Sequence, residues 1–237
     1  MANYNEILGK DWARVLKPFL TSNDWKLIKQ ELNKCVRGIE NMYPNVDSIF
    51  NAFTYCPYNE LSVVLLTTNS YGADNDGVAF SSSRTPFMSD FPKVLSKIFD
   101  AIEKDVSNGL YLNQEPDLWR LAKQGMLLLN CDITSFENKP GKHLKLWHPF
   151  IKYVIKYLAT YNTGLVYILI GSHAHKFERY IPSENNYIFK VEHPMLSVKE
   201  NRPWVYNNIF SKTSEIVKKL NNKELDWTKV FVRWEEI

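Results

Sequence analysis

The chain has 237 residues, of which 45% are hydrophobic and 23% charged. That balance excludes a disordered chain, and the length suits one α/β domain over residues 1–237. The net charge of +3 does not by itself mark a nucleic-acid binder, but it permits DNA binding if the positive charge gathers on one face.

Seven Trp and a 14% aromatic share point to a large core ahead of stacking surfaces. Cys35, Cys56 and Cys131 are odd in number, far apart and set among apolar neighbours, which predicts reduced, buried thiols. No CxxC or zinc spacing occurs, so no metal site is expected. The N-terminus has no apolar signal core, and no run approaches the roughly 18 apolar residues of a membrane span. A cytoplasmic location is expected, or a nuclear one in a compartmentalised host.

In chain order, the first predicted element is helical. Trp25, Ile28, Leu32 and Val36 share a face, with Ser22 or Asn23 as cap. Asn41-Met42-Tyr43-Pro44-Asn45 breaks the chain. Four apolar runs of strand length follow: Val63-Val64-Leu65-Leu66, Met126-Leu127-Leu128-Leu129, Leu165-Val166-Tyr167-Ile168-Leu169-Ile170 and Tyr187-Ile188-Phe189-Lys190-Val191. The first three lack polar alternation, as in strands covered on both faces. Helical patterns at 94–104, 118–124 and 150–159 separate them. The alternation predicts a three-layer α/β/α fold with a central four-stranded parallel sheet.

Polar, chemically capable residues follow each run. The first leads into Thr67-Thr68-Asn69-Ser70-Tyr71-Gly72, the second into Asn130, the third into Gly171-Ser172-His173 and the fourth into Glu192-His193-Pro194. Each alone reads as a turn or cap residue. Together they lie at the carboxyl edge of a parallel sheet, where ligands bind.

An ordered series of motifs resembles the family 1 uracil-DNA glycosylases. Tyr43-Pro44 with Ile49-Phe50-Asn51-Ala52-Phe53 resembles that family's YPP...vFxAF segment, and Gly77-Val78-Ala79-Phe80-Ser81 its GLAFS. Asp117-Leu118-Trp119 and Gln124-Gly125-Met126-Leu127-Leu128-Leu129-Asn130 match DLxxW...QGVLLLN. Val166-Tyr167-Ile168-Leu169-Ile170-Gly171 resembles VFxLWG, and His193-Pro194-Met195-Leu196-Ser197 resembles HPSPLS less one residue. Asp11-Trp12, Phe210-Ser211-Lys212 and Leu225-Asp226-Trp227 complete the series.

The resemblance implies a fold, a reaction and roles. Phe80 would stack on a flipped base and Asn130 would read its Watson–Crick edge. Tyr71 would exclude the thymine methyl, and Thr68 stands at a base-binding position. His193 would hydrogen-bond the base O2 as negative charge builds there. Leu196 would wedge into the duplex. Ser197, Lys142, His143, Lys199 and Arg202 are the expected DNA contacts. DNA is the expected partner, the chain is expected to act as a monomer, and no cofactor is expected.

The departures fall on the chemistry. Asn69 stands where the family has its catalytic Asp, Thr68 replaces its Gln and Gly72 its His. The stretch from Tyr71 to Phe80 is about two residues short, and Val94 replaces a serine. Other branches of the superfamily carry Asn at the corresponding position. Two readings therefore stand: a uracil-directed N-glycosylase working through Asn69, and a glycosylase-like binding module that has lost hydrolysis.

Overall fold

The computed structural model describes residues 4–38, 41–68, 74–83, 91–107, 109, 115–136 and 139–228. Its centre is a four-stranded parallel sheet formed by β2 (Val63–Thr67), β3 (Met126–Asn130), β5 (Val166–Ile170) and β6 (Tyr187–Val191), in the order β3-β2-β5-β6. A separate antiparallel pair joins β1 (Met42–Tyr43) to β4 (Ser135–Phe136).

Strand side chains alternate between two cores. Val64, Leu66, Leu127, Leu129, Tyr167 and Leu169 pack with α1 (Tyr4–Leu20), α2 (Asn23–Val36), α3 (Asn51–Thr54) and α6 (Leu144–Tyr161). Val63, Leu65, Met126, Leu128, Val166, Ile168 and Ile170 pack with α4 (Lys93–Val106) and α9 (Ile209–Asn221). Three layers result, and both faces of β2, β3 and β5 are dry, which is why their sequences show no polar alternation. β3 and β6 are the edge strands, and of the two only β6 is partly exposed. Trp12, Trp25, Trp147, Trp204 and Trp227 are all buried, so most of the tryptophans serve the core.

Local chemistry sets the helix ends. Ser22 caps α2 by accepting from the Trp25 N–H at 3.2 Å. The pattern at 118–124 yields only a short helix, α5 (Trp119–Ala122), because Gly125 turns the chain at φ 86° against the Glu60 carbonyl, where a Cβ would lie 1.8 Å from that oxygen. The pattern at 150–159 is longer than expected and starts at Leu144. α1 is bent at Gly9 and contains Pro18, which conceals its periodicity in the sequence. Cys56 and Cys131 are buried free thiols, whereas Cys35 is partly exposed.

β2 connects to β3 on one side, while β5 connects to β6 on the other. The crevice beyond the carboxyl ends of β2 and β5 is therefore the switch point of the sheet.

Candidate active site

Two short helices stand at that crevice, α7 (Ser172–His175) after β5 and α8 (Pro194–Lys199) after β6. Between them lies a cavity of about 470 Å³ whose walls include Thr68, Gly171, His173, Glu192, His193 and Leu196. His193 is the N-cap of α8, and its Nδ1 accepts the Met195 N–H at 3.1 Å. The neutral ring must then carry its proton on Nε2. Burial holds the imidazole below its usual pKa, while a hydrogen bond to the Thr68 backbone pulls weakly the other way. A neutral N–H donor at the cavity is the outcome.

Gly171 makes this placement possible. It sits at φ 85°, and a Cβ there would stand 3.2 Å from His193 Cβ. Its N–H donates to the Val191 carbonyl at 2.9 Å, tying β5 to the strand that carries His193.

Phe80 packs against His193 with ring centroids 5.7 Å apart. Its backbone is left-handed, φ 63°, a conformation that costs a phenylalanine roughly 1–2 kcal/mol. A local scaffold holds it there. Asp76 accepts from the Val78 N–H at 3.0 Å and from the Ser81 hydroxyl at 2.6 Å, and the Ser81 oxygen accepts from the Leu118 N–H at 3.0 Å. The Ala79 N–H donates to the Leu128 carbonyl at 3.0 Å, fixing the loop to β3. Burial raises the pKa of Asp76 and lifts nearby Asp117 to about 6.

Asn130 ends β3 in register with Thr67 of β2. Phe80 and Asn130 are buried, 4% and 5% exposed, and Phe80 reaches the cavity through its contact with His193. Leu196 is 44% exposed on the cavity wall. Thr68, Phe80 and His193 are thus brought together, and Asn130 joins them through the sheet. Asn69 and Tyr71 lie outside the described residues.

The expected DNA contacts divide. Lys142 and Lys199 are exposed. His143 is buried instead, with Nδ1 2.9 Å from the Thr134 hydroxyl and Nε2 3.7 Å from Cys35 Sγ, and so presents no surface to a phosphate. Ser197 is fully buried and its hydroxyl donates to the Pro194 carbonyl at 2.7 Å. Arg202 grips Glu192 through two bonds of 2.6 and 2.7 Å and also pairs with Glu200. Its charge is neutralised within the protein, and it braces the residue before His193. On α9 and just beyond it, Lys218 pairs with Glu224 and Lys223 with Glu60, as a solvated face would.

No protein-family model matches the chain. A uracil-DNA glycosylase of Fusobacterium nucleatum is 30% identical over 223 residues, covering 93% of this chain and 96% of the relative. This chain belongs to the uracil-DNA glycosylase family. The glycosylase of Anoxybacillus flavithermus is 31% identical over 222 residues, again across 93% of this chain and 96% of its own length. In fold, the crystal structure of mimivirus uracil-DNA glycosylase aligns with a TM-score of 0.80 at 21% identity, over 95% of this chain and 89% of that one. A mimivirus UNG variant in complex with UGI aligns equally well, with a TM-score of 0.80 at 21% identity over 95% of this chain and 91% of the other.

Relative to the family's sequence motifs, three site features escaped sequence reasoning. Gly171 reads there only as the end of a strand. Asp76 and its hold on Ser81 are hidden because Asp before Gly reads as an ordinary turn. The Glu192–Arg202 clamp spans ten residues and a helix, with no local pattern to announce it. Among the described residues, no cluster of His, Cys, Asp and Glu could hold a metal, and no helix is long and apolar enough to cross a membrane.

Proposed function

We propose that this chain is a monofunctional DNA N-glycosylase that releases uracil and leaves an abasic site. The observation that carries the proposal is His193, a neutral ring that carries its proton on Nε2 beside buried Phe80 at the switch point of the sheet.

In this reading the uracil nucleotide leaves the stack and enters beyond the cavity mouth. Phe80 stacks on the base, Asn130 reads its Watson–Crick edge, and Thr68 and Tyr71 close the sides. The N1–C1′ bond breaks with its electron pair passing to uracil, and His193 Nε2–H stabilises the charge that gathers on O2. Asn69 orients the water that adds to C1′, and the proton of that water leaves to solvent. Leu196 fills the gap in the duplex, and Lys142 and Lys199 bear on phosphates. The step as written uses no metal or organic cofactor. The protein acts on DNA as a monomer in the cytoplasm.

An amide at 69 directs water without adding negative charge opposite the positive sugar. The missing electrostatic stabilisation costs about 2.7–4 kcal/mol, or roughly a hundred- to thousandfold in rate. Asn69→Asp should therefore raise single-turnover uracil release by that order, while His193→Gln should lower it. No release by either the native protein or Asn69→Asp would overturn the proposal. Specific binding of uracil DNA without release would favour the binding module, which the substitution at Asn69 motivates.

A further inference from the structure

On the α1, α2 and α6 side of the sheet, a groove of about 760 Å³ runs along the outer face of α6. Tyr153, Tyr157 and Tyr161 follow one another at single-turn intervals along it, with ring centroids 6.1 and 4.6 Å apart, and Tyr161 is 70% exposed. Lys152 and Lys156 stand exposed beside them.

Two more cations join from the segment that follows α7. Lys152 Nζ and Arg179 Cζ lie 5.5 and 5.8 Å from the Tyr180 ring. Lys152, Arg179 and Lys176 together lower the pKa of His148, after its burial, so the local field is positive. Among the described residues no carboxylate pairs with any of these four cations. Glu178 is taken by Lys190 at 2.7 Å, and Asp24 is the single acid on the groove wall. The chain itself links the two sites: Ser172, His173 and His175 of α7 line the cavity, and Lys176 and Arg179 follow within one short segment.

Tyr161 is the exposed ring of the row, and Tyr153, Tyr157 and Tyr180 are half-buried. Cations without a carboxylate partner beside an exposed aromatic ring suit single-stranded nucleic acid, phosphates on the charges and an unstacked base on the ring. We infer that the α6 face is a second DNA-binding surface, a track that holds single-stranded DNA leading away from the uracil site. The inference rests on the DNA-glycosylase reading for its direction, but its test does not need base release.

Fluorescence anisotropy with oligothymidylates supplies that test, using a short oligomer that spans only the cavity and a longer one that reaches α6. The native protein should bind the longer oligomer more tightly. Replacing Lys152, Lys156 and Arg179 with Gln should weaken that binding at least tenfold and leave the short oligomer unaffected. The slope of log affinity against log salt should flatten by about 0.7 for each phosphate that is no longer neutralised. Tyr161→Ala should cost roughly fivefold or more on the longer oligomer by removing a stacking platform. Equal native affinity for the two lengths would overturn the inference, as would unchanged binding in the Gln variant. An inert Tyr161→Ala, with the Gln variant equally impaired toward inorganic polyphosphate, would also overturn it by showing a general anion surface. Failure of uracil release with these binding effects intact would sink the glycosylase reading and leave the track standing.

Discussion

Gly171→Ala should impair the rate far more than its distance from any reacting atom suggests. Gly171 sits at φ 85°, ψ 163°, a region essentially closed to other residues, so alanine there carries strain of about 1–3 kcal/mol. At about 2–4 °C per kcal/mol for a chain of this size, the melting temperature should fall by about 2–12 °C. The new Cβ would also press on His193, standing 3.2 Å from its Cβ and 3.5 Å from its Cδ2. Relief requires a shift of the ring by a few tenths of an ångström. Full loss of one aligned donor costs about 2.7–4 kcal/mol, so a partial displacement should lower the rate about ten- to hundredfold. Gly164→Ala is the matched control. Gly164 also has positive φ, 74°, but its Cβ would meet only Leu220 Cδ1, at 3.6 Å, and Asn221 Oδ1 and Leu220 Cβ, both at 4.0 Å. Single-turnover uracil release well below both melting points, beside thermal denaturation, separates the two effects. Both variants should lose stability, and Gly171→Ala alone should lose rate. Native release by Gly171→Ala, or an equal loss in Gly164→Ala, would refute the reasoning.

Four further outcomes follow from the structure. Burial lowers the pKa of His193, so its ring is neutral near pH 7; the acid limb of the rate profile should fall below the ordinary imidazole value of about 6.5 and vanish in His193→Gln. Burial lifts Asp132 to about 7, because the Gly141 and His143 amides that oppose the shift make no full hydrogen bond to it. Its folded form holds a proton that the unfolded chain has lost, so this contribution to stability is present below about pH 4 and disappears as pH rises through about 7. Denaturant titrations at a series of pH values should show a shallower loss of stability between pH 5 and 8 in Asp132→Asn than in the native protein. Arg202→Gln should slow base release by freeing Glu192 and the start of α8, yet leave the salt slope of DNA binding unchanged. Lys199→Gln should flatten that slope by about 0.7–0.9.

Much of the fold is legible in the sequence because burial on two faces writes itself as uninterrupted apolar runs. Val63–Thr67 and Val166–Ile170 need no partner to be recognised as interior strands. The partial exposure of β6 explains the Lys190 within its run. The strand-end rule finds His193 and Asn130, since a polar residue after a dry strand must meet something. It is blind to direction. His143, Ser197 and Arg202 have the composition of a DNA surface, yet the fold turns the first two inward and gives the third two carboxylates. Such pairings depend on residues that meet only after folding. The Tyr153-Tyr157-Tyr161 period is plain in the sequence, but what gives it meaning is the approach of Lys176 and Arg179 from beyond α7.

The most direct test of the central claim is base release itself. Protein in excess is incubated in metal-free buffer with an end-labelled oligonucleotide carrying one uracil, single- and double-stranded, and abasic sites are then cleaved with alkali. The native protein should cut the strand at the uracil position, and His193→Gln, prepared in parallel, should do so at least about a hundredfold more slowly. DNA that is bound but uncut, or cutting that is equal in the two preparations, would contradict the claim.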